Sequence, residues 1–259
     1  MMSVSKVYEY IERKLSGDGA LHFTLIDPDP DKISAKEAGE VARVAAEAGT
    51  DAIMVGGSMG FATPTVDKVI GEIKKAGLPV IIFPGNVSGV SKEADALFYM
   101  SLLNSNNPYW IIGAQVLGAP IAKRIGIEVI PMAYLVISPG GTVSFIGDVK
   151  PLPRDKPEIA TAYALAGQYL GMKLVYLEAG SGVPEPVPVE IIRAVKKAVD
   201  VPLVVGGALR TPELIAERVA AGADIIVTGS SAIEEEGDVG QRLSRMVKAV
   251  KEEGKKKVR

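Results

Sequence analysis

Several short stretches place oxygen-rich or side-chain-poor residues directly after apolar runs. TLIDPDPDK, residues 24–32, ends an apolar run in three carboxylates, Asp27, Asp29 and Asp31, and Gly56-Gly57-Ser58 follows a second such run. Carboxylates beside a hydroxyl are oxygen donors suited to Mg²⁺, which keeps much of its water and binds a substrate phosphate alongside. Asp and Pro are also common turn residues, so a plain surface turn fits the same acids equally well. YLEAGSG, residues 176–182, brings Glu178 to the end of a third run and follows it with small residues. A carboxylate so placed can accept the proton of a hydroxyl nucleophile, a role worth roughly 10²–10⁴ in rate. It can also serve only as the hydrogen-bond acceptor that fixes its own loop.

Two glycine pairs complete the set. VGGAL supplies Gly206 and Gly207, and TGSS supplies Gly229, Ser230 and Ser231. Glycine lets backbone N–H groups approach an anion without a Cβ in the way. Either pair alone reads as a tight turn. Together, after two consecutive apolar runs, they match the recurrent phosphate site of (β/α)8 barrels, built from the loops after strands seven and eight. A phosphate site there and a metal site at the first two runs would serve two phosphorylated substrates, with Glu178 between them.

The elements that must hold these residues alternate. Apolar runs at residues 20–27, 51–57, 78–85, 94–103, 128–138, 172–182, 201–209 and 224–231 read as strands. They are continuous rather than alternating, as expected of parallel strands buried on both faces. Amphipathic stretches at 34–49, 64–76, 108–126, 157–171, 188–200, 211–223 and 239–254 read as helices. GGTVSFIGD, residues 140–148, suggests a short hairpin or strand extension. Eight βα units in 259 residues point to an α/β fold, a (β/α)8 TIM barrel in one domain spanning residues 1–259. A doubly wound sheet is the alternative, and no G-x-G-x-x-G signature supports it. NVSGVSKEA, residues 86–94, is short and polar for a helix, so the third helix is either replaced by a loop or very short.

Composition removes several function classes. With no cysteine there is no disulfide, zinc-thiolate site or Cys nucleophile, and one histidine, His22, makes a His-rich metal site or a Ser-His-Asp triad implausible. His22 lies inside the first strand and reads as a satisfied core residue. Lys+Arg number 29 against 31 Asp+Glu, so no basic surplus points to nucleic acid. The first residues form a charged amphipathic stretch rather than a signal peptide, and no apolar run reaches membrane-spanning length. A soluble cytoplasmic protein is the expectation. KAVKEEGKKKVR, from Lys248, reads as a frayed, solvated helix end.

TLIDPD, VGGS, FPGNVSGVSKEADALFYMSLLNSNNPYWIIGAQ, YLEAGSG and VGGALRTPE together resemble the archaeal geranylgeranylglyceryl phosphate synthases and, more distantly, their bacterial heptaprenyl relatives. The resemblance runs through nearly the whole chain, and its most specific block is Phe83 to Gln115. It implies a modified barrel lacking the third helix. It also implies Mg²⁺-dependent joining of sn-glycerol 1-phosphate to geranylgeranyl diphosphate, giving 3-O-geranylgeranyl-sn-glyceryl phosphate, the first ether bond of archaeal membrane lipids. Carried over, Asp27 and Ser58 are the metal and diphosphate side. Tyr176, Leu177, Glu178, Ala179, Gly180, Ser181, Gly182, Gly206, Gly207, Gly229 and Ser230 are the glycerol-phosphate side, with Glu178 orienting or deprotonating the attacking hydroxyl. A homo-oligomer, dimer or hexamer, is implied in the same way, and a lipid substrate and product make peripheral membrane contact an expectation. Two departures stand out. Pro30 follows Asp29 where the family usually has lysine, which here comes at Lys32, so both Asp29 and Asp31 remain candidates to assist the metal. The last glycine turn carries serine where relatives often carry asparagine or threonine, and a serine hydroxyl still donates to phosphate. A prenyl tail needs a long apolar groove, gaining about 0.8 kcal/mol per buried CH₂. Phe98, Tyr99, Tyr109, Trp110 and Tyr134 are candidates to line it, although core packing is the plainer role for any single aromatic. Two other readings share the glycine pairs: another phosphate-binding barrel enzyme, such as a sugar-phosphate isomerase or synthase, and a non-catalytic binder of prenyl diphosphates.

Overall fold

Alternate residues of each apolar run face opposite ways, and both faces are dry. The computed structural model describes residues 6–57, 62–229 and 238–258. Leu21, Met54, Ile81, Phe98, Ile130, Leu174, Val204 and Ile225, one from each of the eight strands, belong to a single interior cluster. Their chain neighbours turn outward. Ile53, Ile82 and Leu97 pack under helices on one side, and Leu135, Val175, Val205 and Ile226 do so on the other. The strands are β1 (Leu21–Ile26), β2 (Ala52–Gly56), β3 (Val80–Phe83), β4 (Ala96–Leu102), β5 (Glu128–Val136), β6 (Leu174–Glu178), β7 (Leu203–Gly206) and β8 (Ile225–Thr228). They pair in parallel and in sequence order, and β8 pairs with β1 to close the barrel.

The helices are α1 (Val7–Asp18), α2 (Ala35–Glu47), α3 (Thr63–Ile73), α4 (Ala114–Ile125), α5 (Gly141–Ile146), α6 (Pro157–Tyr169), α7 (Val189–Ala198), α8 (Pro212–Ala221) and α9 (Val239–Lys257). Their starts follow the sequence signals. Ser34 and Glu37 form a reciprocal capping box at α2, and the Thr211 side chain accepts from the Leu214 N–H at α8. Val7 and Ile11 of α1 join the interior cluster and plug the N-terminal end of the barrel. Between β3 and β4 there is no helix of the outer ring, only a 3₁₀ turn at Val87–Gly89. The loop alternative for the third helix is therefore the one that holds. Among the described residues no helix is long and apolar enough to cross a membrane.

Two expectations need correction. Residues 141–146 form a helix, α5, not a hairpin. Gly140 and Gly141 both have positive φ, +80° and +56°, which turns the chain sharply out of the strand direction. The β-branched Thr142 and Val143 then follow the turn rather than their strand preference. The second correction is partial: Lys248, Lys255 and Lys256 are solvated as expected, but the segment is helical to Lys257 and two of its lysines turn back onto the barrel. Lys251 Nζ donates to Asp18 Oδ2 at 2.9 Å, to Asp51 Oδ2 at 2.7 Å and to the Ala20 carbonyl at 3.4 Å. Lys257 Nζ donates to the Ala223 carbonyl at 2.6 Å. Their partners lie far back in the chain, so local charge patterning gives no sign of them.

Asp51 is the centre of this lower cluster. It is only 3% exposed, it accepts the His22 backbone N–H at 2.9 Å, and Lys14 lies 3.3 Å away. His22 is the core histidine expected from its place in β1. Its ring nitrogens meet Thr50 Oγ1 at 2.8 Å and Thr228 Oγ1 at 3.0 Å. Burial, helped by the Lys251 charge, lowers its pKa to about 3, so the ring is neutral at physiological pH. Removing one member of a buried ion cluster leaves the others unpaired, whereas exposed pairs contribute little. Lys251→Ala is expected to cost about 2 kcal/mol of unfolding free energy in a denaturant titration, since Lys14 still shields Asp51. Arg43→Ala, which removes exposed pairs with Glu40 and Glu47, should change it by less than about 0.5 kcal/mol.

Candidate active site

Strand register delivers Glu178 to the mouth of the barrel. It pairs with Val136 of β5 on one side and Gly206 of β7 on the other. Its side chain is buried. Oε1 accepts the Gly180 N–H at 2.6 Å and Oε2 accepts the Tyr134 hydroxyl at 3.2 Å. Burial pushes the Glu178 pKa up, and these two donors, together with the nearby Tyr176 hydroxyl, favour the charged form and oppose the rise. Tyr134 and Tyr176 are themselves held well above the ordinary tyrosine range, by burial first and then by the Glu178 charge. Both stay protonated.

Around this carboxylate lies a polar pocket of about 660 Å³, lined among others by Asp27, Gly57, Tyr176, Glu178, Ser181, Gly207, Thr228 and Gly229. Six of the residues singled out in the sequence, Asp27, Tyr176, Glu178, Ser181, Gly207 and Gly229, thus come together, and the glycines have definite reasons. Gly207 has φ +85°, and a Cβ there would collide with Glu178 Oε1. A Cβ at Gly57 would collide with the Asp27 carboxylate. Others act indirectly. Gly180 gives its N–H to Glu178, so that donor is turned on the carboxylate rather than on a ligand. Leu177 and Ala179 point into the layer between barrel and helices, away from the pocket. Gly182 and Gly206 are not among its lining residues; a Cβ at Gly206 would strike the Tyr176 hydroxyl. Ser58 and Ser230, expected at the metal and phosphate sides, lie outside the described residues, as does Ser231.

The three acids of the first loop divide. Asp27 lines the pocket. Asp29 accepts the Asp31 N–H at 3.1 Å, and its carbonyl accepts from Lys32 and Ile33. Asp29 and Asp31 therefore build the turn and do not line the pocket. Among the described residues no group of three His, Cys, Asp or Glu side chains could hold a metal unaided. One carboxylate beside a Cβ-free glycine still fits Mg²⁺, which takes one or two carboxylates and completes its shell with water and substrate phosphate.

A second cavity opens where the third helix is absent. This apolar groove encloses about 820 Å³, part of it open to solvent, and is walled by β3, β4, the 84–90 loop and the helix of α4 with its preceding π turn. Phe98, Tyr99, Trp110 and Tyr134 line it as expected. Tyr109 does not: its hydroxyl donates to Asn86 Oδ1 at 2.8 Å and its ring meets Trp110 edge-on. Groove and pocket share Gly57, Phe83, Tyr134 and Val143, so the two cavities adjoin. Phe83 and Gly57 had no role of their own in the sequence reading, and their places at the ends of two neighbouring strands are the one signal that could have found them.

A model of the PcrB family matches residues 9–254. The chain belongs to the PcrB family. The similar proteins from Thermococcus kodakarensis and Pyrococcus abyssi, both called geranylgeranylglyceryl phosphate synthase, are 58% and 56% identical to it. The first alignment covers 95% of this chain and 96% of the relative, the second 89% and 91%. Among solved structures, (S)-3-O-geranylgeranylglyceryl phosphate synthase from Thermoplasma acidophilum, in complex with substrate sn-glycerol-1-phosphate, superposes with a TM-score of 0.91 at 45% identity. That superposition covers 96% of this chain and all of the other (100%). The Thermoplasma volcanium synthase gives 0.90 at 43% identity, over 96% and 98%.

Glu178 gives this site a directional pH signature. Tyr134→Phe removes a donor that favours the carboxylate, so its pKa rises further. If the ionised form accepts the proton, the acid limb of the rate profile moves to higher pH, and stopped-time assays from pH 5 to 9 check this. Stability has the opposite sign to an ordinary salt-bridged carboxylate. The folded pKa lies above the unfolded value, so the cost of ionising Glu178 is absent below the unfolded pKa and complete above the folded one. Glu178→Gln should therefore be inactive yet more stable than the wild type at pH 7, with the difference vanishing in acid, as thermal melts at pH 4 and pH 7 would report.

Proposed function

We infer that the chain is a geranylgeranylglyceryl phosphate synthase. It transfers the geranylgeranyl group of geranylgeranyl diphosphate to the 3-hydroxyl of sn-glycerol 1-phosphate. The observation that carries this reading is the adjoining pair of cavities, one polar around Glu178 and one long and apolar. A reaction between a phosphorylated polyol and an allylic lipid needs both, whereas a sugar-phosphate isomerase needs only the first. The names of the relatives support the same assignment.

In this reading the glycerol phosphate lies in the polar pocket with its phosphate at Ser181, Gly207 and Gly229. Glu178, held by Tyr134 and Gly180, orients the attacking hydroxyl and takes its proton. The donor tail lies in the groove and its diphosphate reaches Asp27. Asp27, and by the family resemblance Ser58, would hold Mg²⁺, which when bound neutralises charge on the departing diphosphate. The cytoplasmic location, homo-oligomeric state and peripheral membrane contact expected above belong to the same reading. The exposed Ile112, Val116 and Leu117 on the helix beside the groove offer apolar surface for such contacts.

The test is a transfer assay with labelled sn-glycerol 1-phosphate, Mg²⁺ and prenyl diphosphates of several lengths. Labelled ether lipid from the C20 donor is expected. Glu178→Ala should lower the rate by roughly 10² or more. Asp27→Ala and metal chelation should each abolish transfer while leaving glycerol phosphate binding in place. No product from any donor would remove this reading.

A further inference from the structure

Among the described residues the two cavities touch only along Gly57, Phe83, Tyr134 and Val143. Given the prenyl-transfer reading, on which this inference rests, C1 of a donor in the groove meets a hydroxyl in the pocket along that shared wall. Gly57 and Val143 offer no charge there. Phe83 and Tyr134 are the aromatic members. Phe83 ends β3, is 8% exposed, and has its ring centroid 5.5 Å from Tyr134 and 5.6 Å from Tyr176, nearly parallel to the latter at 19°. Tyr134 and Tyr176 lie 5.0 Å apart, and Tyr134 donates its hydroxyl hydrogen bond to Glu178 at 3.2 Å. Donation to a carboxylate makes a phenol ring more electron-rich. The wall between the cavities is thus a cluster of π faces backed by a negative charge.

We propose that Phe83 is a catalytic residue whose ring stabilises the allylic cation that develops at C1 of the donor. In the step, the bond between C1 and the diphosphate oxygen breaks and its electron pair leaves with the diphosphate. The glycerol oxygen supplies the pair for the new C1–O ether bond, and its proton passes to the Glu178 carboxylate. Positive charge on C1 exists mainly in the transition state. A ring quadrupole attracts a cation and is nearly indifferent to the neutral allyl group, so Phe83 lowers the barrier without tightening donor binding. A phenylalanine also brings no hydroxyl that would capture the cation itself.

Fluorination tests the idea with little change of shape. Phe83 is replaced by 4-fluoro-, 3,5-difluoro- and 3,4,5-trifluorophenylalanine, and separately by Phe83→Leu. Ether formation is followed in single turnovers of the full chain, and donor affinity is measured by equilibrium binding. The rate should fall stepwise with fluorine number, by roughly 2- to 30-fold in all, with the donor Kd changed by less than about twofold. Phe83→Leu should fall at least as far as the trifluoro variant. A rate that stays flat across the fluorinated series, or that falls only in step with donor affinity, overturns the proposal. An unmodified enzyme that forms no ether removes the underlying prenyl-transfer reading instead.

Discussion

A carboxylate kept from water takes up a proton unless hydrogen-bond donors hold it ionised, and the arrangement around Glu178 follows from that constraint. Its polar neighbours come from three places in the chain: the donors Tyr134 on β5 and the Gly180 N–H just beyond β6, and the Tyr176 hydroxyl two residues earlier. Each demands something of its neighbours. Tyr176 needs Gly206 without a Cβ, and Glu178 needs Gly207 in a left-handed conformation beside it. The barrel mouth is therefore specified by what one acid requires, and the glycines that look like a phosphate cradle also make room for it.

The barrel departs from the regular plan where the lipid would lie. Without a helix between β3 and β4, the apolar surface of these strands is covered instead by the 84–90 loop and the helix after β4. This exchanges packing for a cavity, a change that normally costs stability through lost contacts. The cavity is useful because it meets the polar pocket at one aromatic wall. A fully covered barrel would keep the Glu178 pocket and have no place for an apolar tail. Substrate class, on this view, is set by an omission in the outer ring more than by any residue within the polar pocket.

Much of this was legible beforehand, for identifiable reasons. Parallel strands buried on both faces give continuous apolar runs, so all eight were visible, and Asp27, Glu178 and Gly207 follow from lying at strand ends. Cross-strand contacts were not legible. Nothing local marks Leu177 as facing away from the pocket while Tyr176 faces it, because the alternation needs a known register. Phe83 read only as part of the 78–85 apolar run, and its place between two cavities depends on where the closed barrel brings Gly57 after β2 and Tyr134 of β5. Residues 141–146 carried strand-like side chains, but the positive φ of Gly140 and Gly141 decided their path. Lys251 had only local acids in view, while one of its real partners, Asp18, sits at a separation of 233 residues.

That last contact bears on how the chain acquires its shape. Lys251 completes the charge cluster under β1 and β2, and β8 must arrive before β1 has both neighbours. On a ribosome the first strands emerge long before either partner exists. Asp51 must then wait in a hydrated, unclosed sheet until the final helix is made. Late closure of this kind leaves sheet edges exposed during synthesis and makes assembly depend on the last tenth of the chain. The ring has no early half that is electrically complete, so a shortened chain that keeps every pocket residue would still lack the lysine that lets its first turn of barrel settle.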